Sequence, residues 1–235
     1  MHAERSTVTE WDHRLDLGDF GPLPGHMGEP TLEFDGSDQG RGGEMDAAVV
    51  YESMFGMTHD VADAVAEGVA AALPNAKVVC LRVTDATPDR LRTPDLLIVG
   101  GPTHMRGMAS AMSRKMAVSI EEKAARGQGE HQGHGLEPDV AGPGLRSWFH
   151  GLPKVGNGHF AAAFDTRGDG GPIVGGAARG IQHRLQRHGY RVLGEPEGFV
   201  IEGDAGQLRA GERDRARAWA AEVTRNAADL AAWSS

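Results

Sequence analysis

The segment Ser53-Met54-Phe55-Gly56-Met57-Thr58 is the first whose residue types and spacing suit a chemical task. Ser53 and Thr58 supply hydroxyl donors, and Gly56 lets the main chain approach a bulky anion closely. An apolar run, residues 47–51, precedes it. Residues 59–73 follow, with Val61, Val65, Val69 and Leu73 four apart. The pattern predicts a strand, a turn and an amphipathic helix. Main-chain amides at such a helix start, aided by the positive end of the helix dipole, bind phosphate. No lysine or arginine lies in the segment, so neutral donors would hold the anion. The alternative is a turn that merely caps the helix, a task Thr58 alone would serve as N-cap.

Weaker chemical signals lie elsewhere. His131 and His134 stand three apart in a polar loop beside Glu130, but two histidines without a third fixed ligand are poor grounds for a metal. Gly168-x-Gly170 is a fragment of a dinucleotide fingerprint, while the first strand-to-helix turn lacks Gly-x-Gly-x-x-Gly, which argues against a Rossmann site. The lysine-bearing phosphate loop of nucleotidases and the Gly-x-Ser-x-Gly elbow of hydrolases are both absent. The single cysteine, Cys80, sits in an apolar run and reads as a buried, inert thiol. Trp148-Phe149 reads as core, or as the lid of a loop.

The elements that must position the phosphate turn alternate regularly. Strands are expected at 47–51, 77–83, 95–100 and 160–164, with a fifth bracketed by 190–193 and 198–201 and interrupted by Gly194-Glu195-Pro196. Helices are expected at 59–73, 109–125, 177–188 and 207–233, with a short crossover at 85–91 and a short amphipathic turn at 145–152. Met112, Met116 and Ile120 are expected on the buried side of helix 109–125, and Trp219, Val223, Ala227 and Leu230 on that of the last helix. Gly189 occupies the position favoured for a helix C-cap. Residues 126–144 and 165–176 read as Gly-rich loops. Strands alternating with helices imply a mostly parallel sheet with helices on both faces.

Composition separates an arm from this domain. Of the net charge of −9, residues 1–45 carry −7 and residues 46–235 carry −2. The arm has scattered apolar residues, Trp11, Leu15, Leu17 and Phe20, and no sustained period, so it is expected to be largely disordered. The near-neutral remainder offers no basic footprint for nucleic acid. One cysteine permits no internal disulfide and suits a reducing compartment. No apolar stretch approaches the roughly 20 residues of a membrane helix, and the polar N-terminus has no signal-peptide core. A soluble cytoplasmic protein is the expectation.

The run Val50-Tyr51-Glu52-Ser53-Met54-Phe55-Gly56-Met57-Thr58 resembles the FMN-phosphate loop of flavodoxins, whose usual pattern is Ser/Thr-x-Thr-Gly-x-Thr. Ser53, Gly56 and Thr58 match; Phe55 replaces a common hydroxyl and Met57 a common asparagine. Gly100-Gly101-Pro102-Thr103-His104 is similar to the family's turn along one face of the flavin ring. Phe164-Asp165-Thr166-Arg167-Gly168-Asp169-Gly170-Gly171 stands where its second flavin-contacting loop occurs. The resemblance covers about residues 46–235. It implies a flavodoxin-like doubly wound α/β fold, with five parallel strands in the order 2-1-3-4-5, helices on both faces and FMN at the switch point between strands.

The resemblance also assigns roles. Ser53, Met54, Phe55, Gly56, Met57 and Thr58 would hold the FMN phosphate; Pro102, Thr103 and His104 would lie on one side of the ring, and Asp165, Thr166, Arg167 and Gly170 on the other. The family often stacks aromatic side chains on the ring, and neither ring segment carries Trp, Tyr or Phe beyond Phe164. His104 or Met105 would take that part, with Arg167 over the ring or offsetting charge on a reduced flavin. The resulting expectation is an electron carrier with a reductase and an acceptor as redox partners. Two alternatives stand: an NAD(P)H-dependent quinone or FMN reductase with residues 126–144 as a substrate lid or an oligomer contact, and a flavin-free interaction module.

Overall fold

Residues 47–51 form strand β1 (Ala47–Tyr51), and all five are buried, as a central parallel strand covered on both faces requires. In the computed structural model, residues 45–104, 107–126, 135–137, 140, 142–169, 176–202 and 206–234 are described. The N-terminal arm up to residue 44, Met105, His131, His134 and Gly170 lie outside the described residues. Helix α1 (Met57–Ala72) follows β1, then strand β2 (Val78–Arg82), the short helix α2 (Pro88–Leu91), and strand β3 (Leu96–His104). A two-residue strand β4 (Gly107–Met108), helix α3 (Ala111–Ala125) and helix α4 (Leu145–Gly151) lead to strand β5 (Phe160–Gly168). Helix α5 (Ala177–Arg187), strands β6 (Arg191–Val192), β7 (Glu197–Glu202) and β8 (Gln207–Leu208), and helix α6 (Glu212–Ser234) complete the chain.

The sheet runs β2-β1-β3-β5-β7-β8. Its five long strands, β2, β1, β3, β5 and β7, are parallel throughout, in the expected order. The fifth strand is broken where expected. β6 pairs with the start of β5 and β7 with its end, so Gly194-Glu195-Pro196 detours between two pairings to one neighbour. One face of the sheet is covered by α1 and α6 and the other by α4 and α5. On the first face Phe164, Phe199 and Trp219 meet edge to face, with centroids 6.0 to 6.2 Å apart, an arrangement aromatic quadrupoles favour. A Cβ on Gly68 would overlap the Arg217 carbonyl, so a glycine lets α1 and α6 touch backbone to backbone. Gly189, at φ +94°, ends α5 as the C-cap pattern predicts.

Three expectations need correction. The third and fourth strands do not stop at 100 and 164. β3 continues through His104 and β5 through Gly168, with Gly100 opposite Phe164, Gly101 opposite Asp165 and Pro102 opposite Thr166. Gly100 therefore makes no turn. A Cβ there would overlap the Phe164 ring, so the glycine gives that ring its place across the strand pair. The last helix begins at Glu212, because residues 207 and 208 pair with β7 as β8.

The third correction concerns α3. Met112 is 70% exposed and Met116 54% exposed, not buried. The cover they were expected to give the sheet comes from α4, whose Leu145 and Phe149 are in the core with Leu152 just beyond the helix. Trp148 joins them at the edge and donates its indole N–H to the Ala86 carbonyl at 2.7 Å. Both aromatic residues are thus packing residues. Cys80 is partly shielded in β2, and burial with the nearby Asp63 pushes its thiol up to about 12, so it stays protonated and unreactive.

The strand pairing around Gly100 has a measurable consequence. Gly100→Ala is expected to destabilise the protein by about 1–3 kcal/mol through overpacking against Phe164, read as a lower urea midpoint at unchanged slope. An unchanged midpoint would show that the ring has room to move.

Candidate functional site

The phosphate turn is built by the end of β1 and the start of α1. Gly56 is the N-cap of α1 with φ +93°, a region open to glycine and strained for side chains. No side chain caps the helix. Its first helical bond runs from the Asp60 amide to the Gly56 carbonyl at 2.9 Å, which leaves the amides of Met57, Thr58 and His59 without intrahelical acceptors. Ser53 Oγ accepts the Gly56 amide at 3.1 Å, so it shapes the turn and keeps its own proton to donate. Thr58 is not the N-cap. Its hydroxyl is buried and hydrogen-bonds the Thr166 hydroxyl at 2.7 Å, joining α1 to β5. Met54 is buried in the turn, while Phe55 and Met57 are partly exposed.

The two ring segments meet as paired strands rather than facing loops. Asp165 is fully buried and Thr166 is 1% exposed. Asp165 Oδ2 accepts the Thr103 hydroxyl at 3.0 Å and the Ala178 amide at 2.9 Å, and Thr103 Oγ1 accepts the Ala177 amide at 2.8 Å. These bonds cap α5 and tie it to β3 and β5. Burial raises the Asp165 carboxyl above the usual aspartate range, against the Ala178 amide, Arg167 and Thr103. Arg167 Nε lies 3.8 Å from Asp165 Oδ1, with the Arg167 side chain one-third exposed. Thr103 and Asp165 are therefore occupied with each other and with the start of α5, and Thr166 with Thr58. Pro102, His104 and Arg167 have only partly covered side chains.

His104, the last residue of β3, keeps an inward nitrogen. Its Nε2 is buried with no hydrogen-bond partner among the described residues, and burial lowers its pKa, so the imidazole is neutral near pH 7. Asp165 Oδ1 is likewise buried without a hydrogen bond. Both orphaned atoms lie at the carboxyl ends of adjacent strands.

Sequence reasoning missed two carboxylates beside the turn. Glu52, 4% exposed, accepts the Leu145 amide at 3.0 Å and lies 3.4 Å from Arg114, so it fastens α4 and α3 to the end of β1. Its sequence signal is an acid directly after five buried apolar residues, which must find a partner. Glu137 pairs with Arg82 and lies 3.1 Å from His59 Nδ1, and its amide donates to the Met54 carbonyl at 2.9 Å. No local pattern marks it, because its partners come from β2 and α1. Among the described residues there is no group of three or more His, Cys, Asp or Glu able to hold a metal.

Parallel strands in this order, a glycine-capped turn after the first, and polar ends of the third and fourth meeting beside it define a doubly wound α/β protein with its switch point at these strand ends. The flavodoxin family model matches residues 49–219, and the chain belongs to the flavodoxin family. Among solved structures, a flavodoxin from the domain Archaea is 17% identical, with a TM-score of 0.50, covering 78% of this chain and 99% of that one. Oxidised Flavodoxin 1 from Bacillus cereus is 16% identical, with a TM-score of 0.51, over 77% of this chain and 97% of that one. Flavodoxin 2 from the same organism is also 16% identical, with a TM-score of 0.50 and coverage of 77% and 99%. These likenesses carry the fold. No curated protein matches the sequence.

The buried carboxylate makes stability depend on pH. A carboxyl whose pKa is higher folded than unfolded binds its proton more tightly when folded. It therefore contributes stability below about 3.9, the ordinary aspartate value, and loses it as pH rises through the folded value. Asp165→Asn removes this dependence, so the stability of wild type relative to the variant should fall as pH rises, then level off. Urea unfolding of both proteins between about pH 4 and pH 8 checks this, and a difference that rises with pH would refute it.

Proposed function

We propose that this protein binds FMN and transfers electrons. The observation that carries the reading is the start of α1, where a left-handed Gly56 and three amides without intrahelical acceptors make a cradle for a phosphate. The donor set fits the group: Ser53 Oγ–H and the amides of residues 57–59 would hold the phosphate, with Met54, Phe55 and Met57 shaping the turn. The Thr58 hydroxyl, bonded to Thr166, would fix the helix, leaving only the Thr58 amide to donate.

The ring would lie by the ends of β3 and β5, bordered by Pro102, Thr103, His104, Asp165, Thr166 and Arg167. The unpartnered His104 Nε2 supports this, since a buried polar atom calls for a ligand partner. FMN, when bound, supplies one- and two-electron redox chemistry. The chain's own residues would do the rest. Neutral His104 would offer a hydrogen bond without adding charge. Arg167 would place a positive charge near the ring and favour an anionic reduced form. No Trp, Tyr or Phe would stack from these segments, so His104 would take that part. Such a carrier would work in the cytoplasm with a protein reductase and a protein acceptor.

The visible spectrum of the purified protein, before and after FMN addition and desalting, tests this. Flavin bands surviving desalting are expected. Gly56→Ala, which strains the left-handed N-cap, is expected to weaken FMN binding on the order of tenfold or more, measured by quenching of flavin fluorescence. A protein that retains no FMN would leave a flavin-free interaction module, the reading favoured by the missing stacking aromatics.

A further inference from the structure

Beside α5 lies a groove of about 570 Å³, within the size range of small-ligand sites. Five arginines, Arg146, Arg167, Arg179, Arg184 and Arg187, line it together with His183. Among the described residues its lining carboxylates are Asp165 and Glu195, and Asp165 already serves Arg167 and the start of α5. Arg146, Arg179, Arg184 and Arg187 have no ion pair with a carboxylate among the described residues. Arg146 instead donates to the carbonyls of Met108 and Ala109, at 3.0 to 3.3 Å. Arg184 lies over the Phe149 ring, 5.7 Å from its centroid.

We propose that this groove binds the diphosphate group of a nucleotide. Arg179, His183 and Arg187 recur four apart on α5, and Arg184 adds to the row, so they share one side of the helix. The row runs about 12 Å, at ~1.5 Å per residue, enough for two linked phosphates and an adjoining sugar. Arginine forks match phosphate oxygens two at a time. Burial, followed by the fields of Arg146 and Arg187, lowers the Arg184 pKa. Bound phosphates would relieve that repulsion. The basicity is local, since residues 46–235 carry a net charge of −2. A concave site with charges on one helix side suits a small polyanion better than an extended nucleic acid or acidic peptide.

The groove is continuous with the switch-point site. Asp165 and Arg167 belong to both, and Met108 and Gly176 close it beside the β3–β4 hairpin and the start of α5. A dinucleotide held there by its phosphates would have its second base next to the ring position. The phosphate proposal needs no flavin, and only this last placement rests on the FMN reading.

Calorimetry on the full chain, with and without added FMN, tests it using inorganic pyrophosphate, ADP and NADP⁺ as probes. Saturable binding is expected, unchanged by FMN and weakened by salt. The charge reversal Arg179→Glu with Arg187→Glu, at two exposed positions, should cost at least about tenfold in affinity. Melting temperature and FMN retention should not change. Tighter binding of NADP⁺ than of ADP would assign a dinucleotide, and equal binding a general nucleoside diphosphate; both support the site. Absence of saturation at millimolar probe, equal affinity in the double variant, or binding of polyglutamate in place of the phosphates would overturn it. FMN retention is read separately by absorbance, so failure of the flavin reading and failure of the groove give different results.

Discussion

One buried carboxylate holds the working end of this molecule together. Asp165 sits in the middle of the sheet where β3 and β5 run side by side, and accepts bonds from Thr103 and from the start of α5. An ionised or partly ionised group with no exposure is costly, and four neighbours offset that cost: the Ala178 amide, the Arg167 guanidinium, the Thr103 hydroxyl and the Ala177 amide. In return the ends of two strands and the first turn of a helix are set in a fixed relation. Thr166, next in the strand, extends the network to Thr58 on α1. The start of α1, the ends of β3 and β5 and the start of α5 are thus tied together by side-chain hydrogen bonds.

Much of this was legible in the residues. Apolar runs at 47–51 and 96–99 gave central strands, and the valines four apart gave α1, because periodicity reports burial directly. The broken fifth strand was visible in Gly194-Glu195-Pro196. The turn between β1 and α1 was legible because glycine, hydroxyls and position after a strand all point one way.

What stayed hidden came from partners distant in sequence. Gly100 and Gly101 suggest a turn locally, yet Gly100 is a glycine because the Phe164 ring occupies the place of its side chain. Asp165 and Thr166 look like loop polar residues, and only strand pairing shows that they are buried. Met112 and Met116 follow a helical period that signals a buried face, but α4 had already taken the sheet surface. Periodicity says that a helix has a face; it does not say which of two helices the core will accept. The groove arginines were likewise invisible as a group, since α4, β5 and α5 bring them together.

The substitution of α4 for α3 as the cover of the sheet has an evolutionary consequence. Seven residues, Leu145–Gly151, seal a surface that a 15-residue helix stands aside from. Among the described residues, the long-range bonds of α3 side chains are those of Arg114, which reaches Glu52, and Glu121, which accepts the Gly135 amide at 2.6 Å. Its outer positions are therefore released from the packing constraint that slows change in a core helix. Substitutions at exposed positions such as Met112 and Met116 thus leave the sheet beneath unaltered.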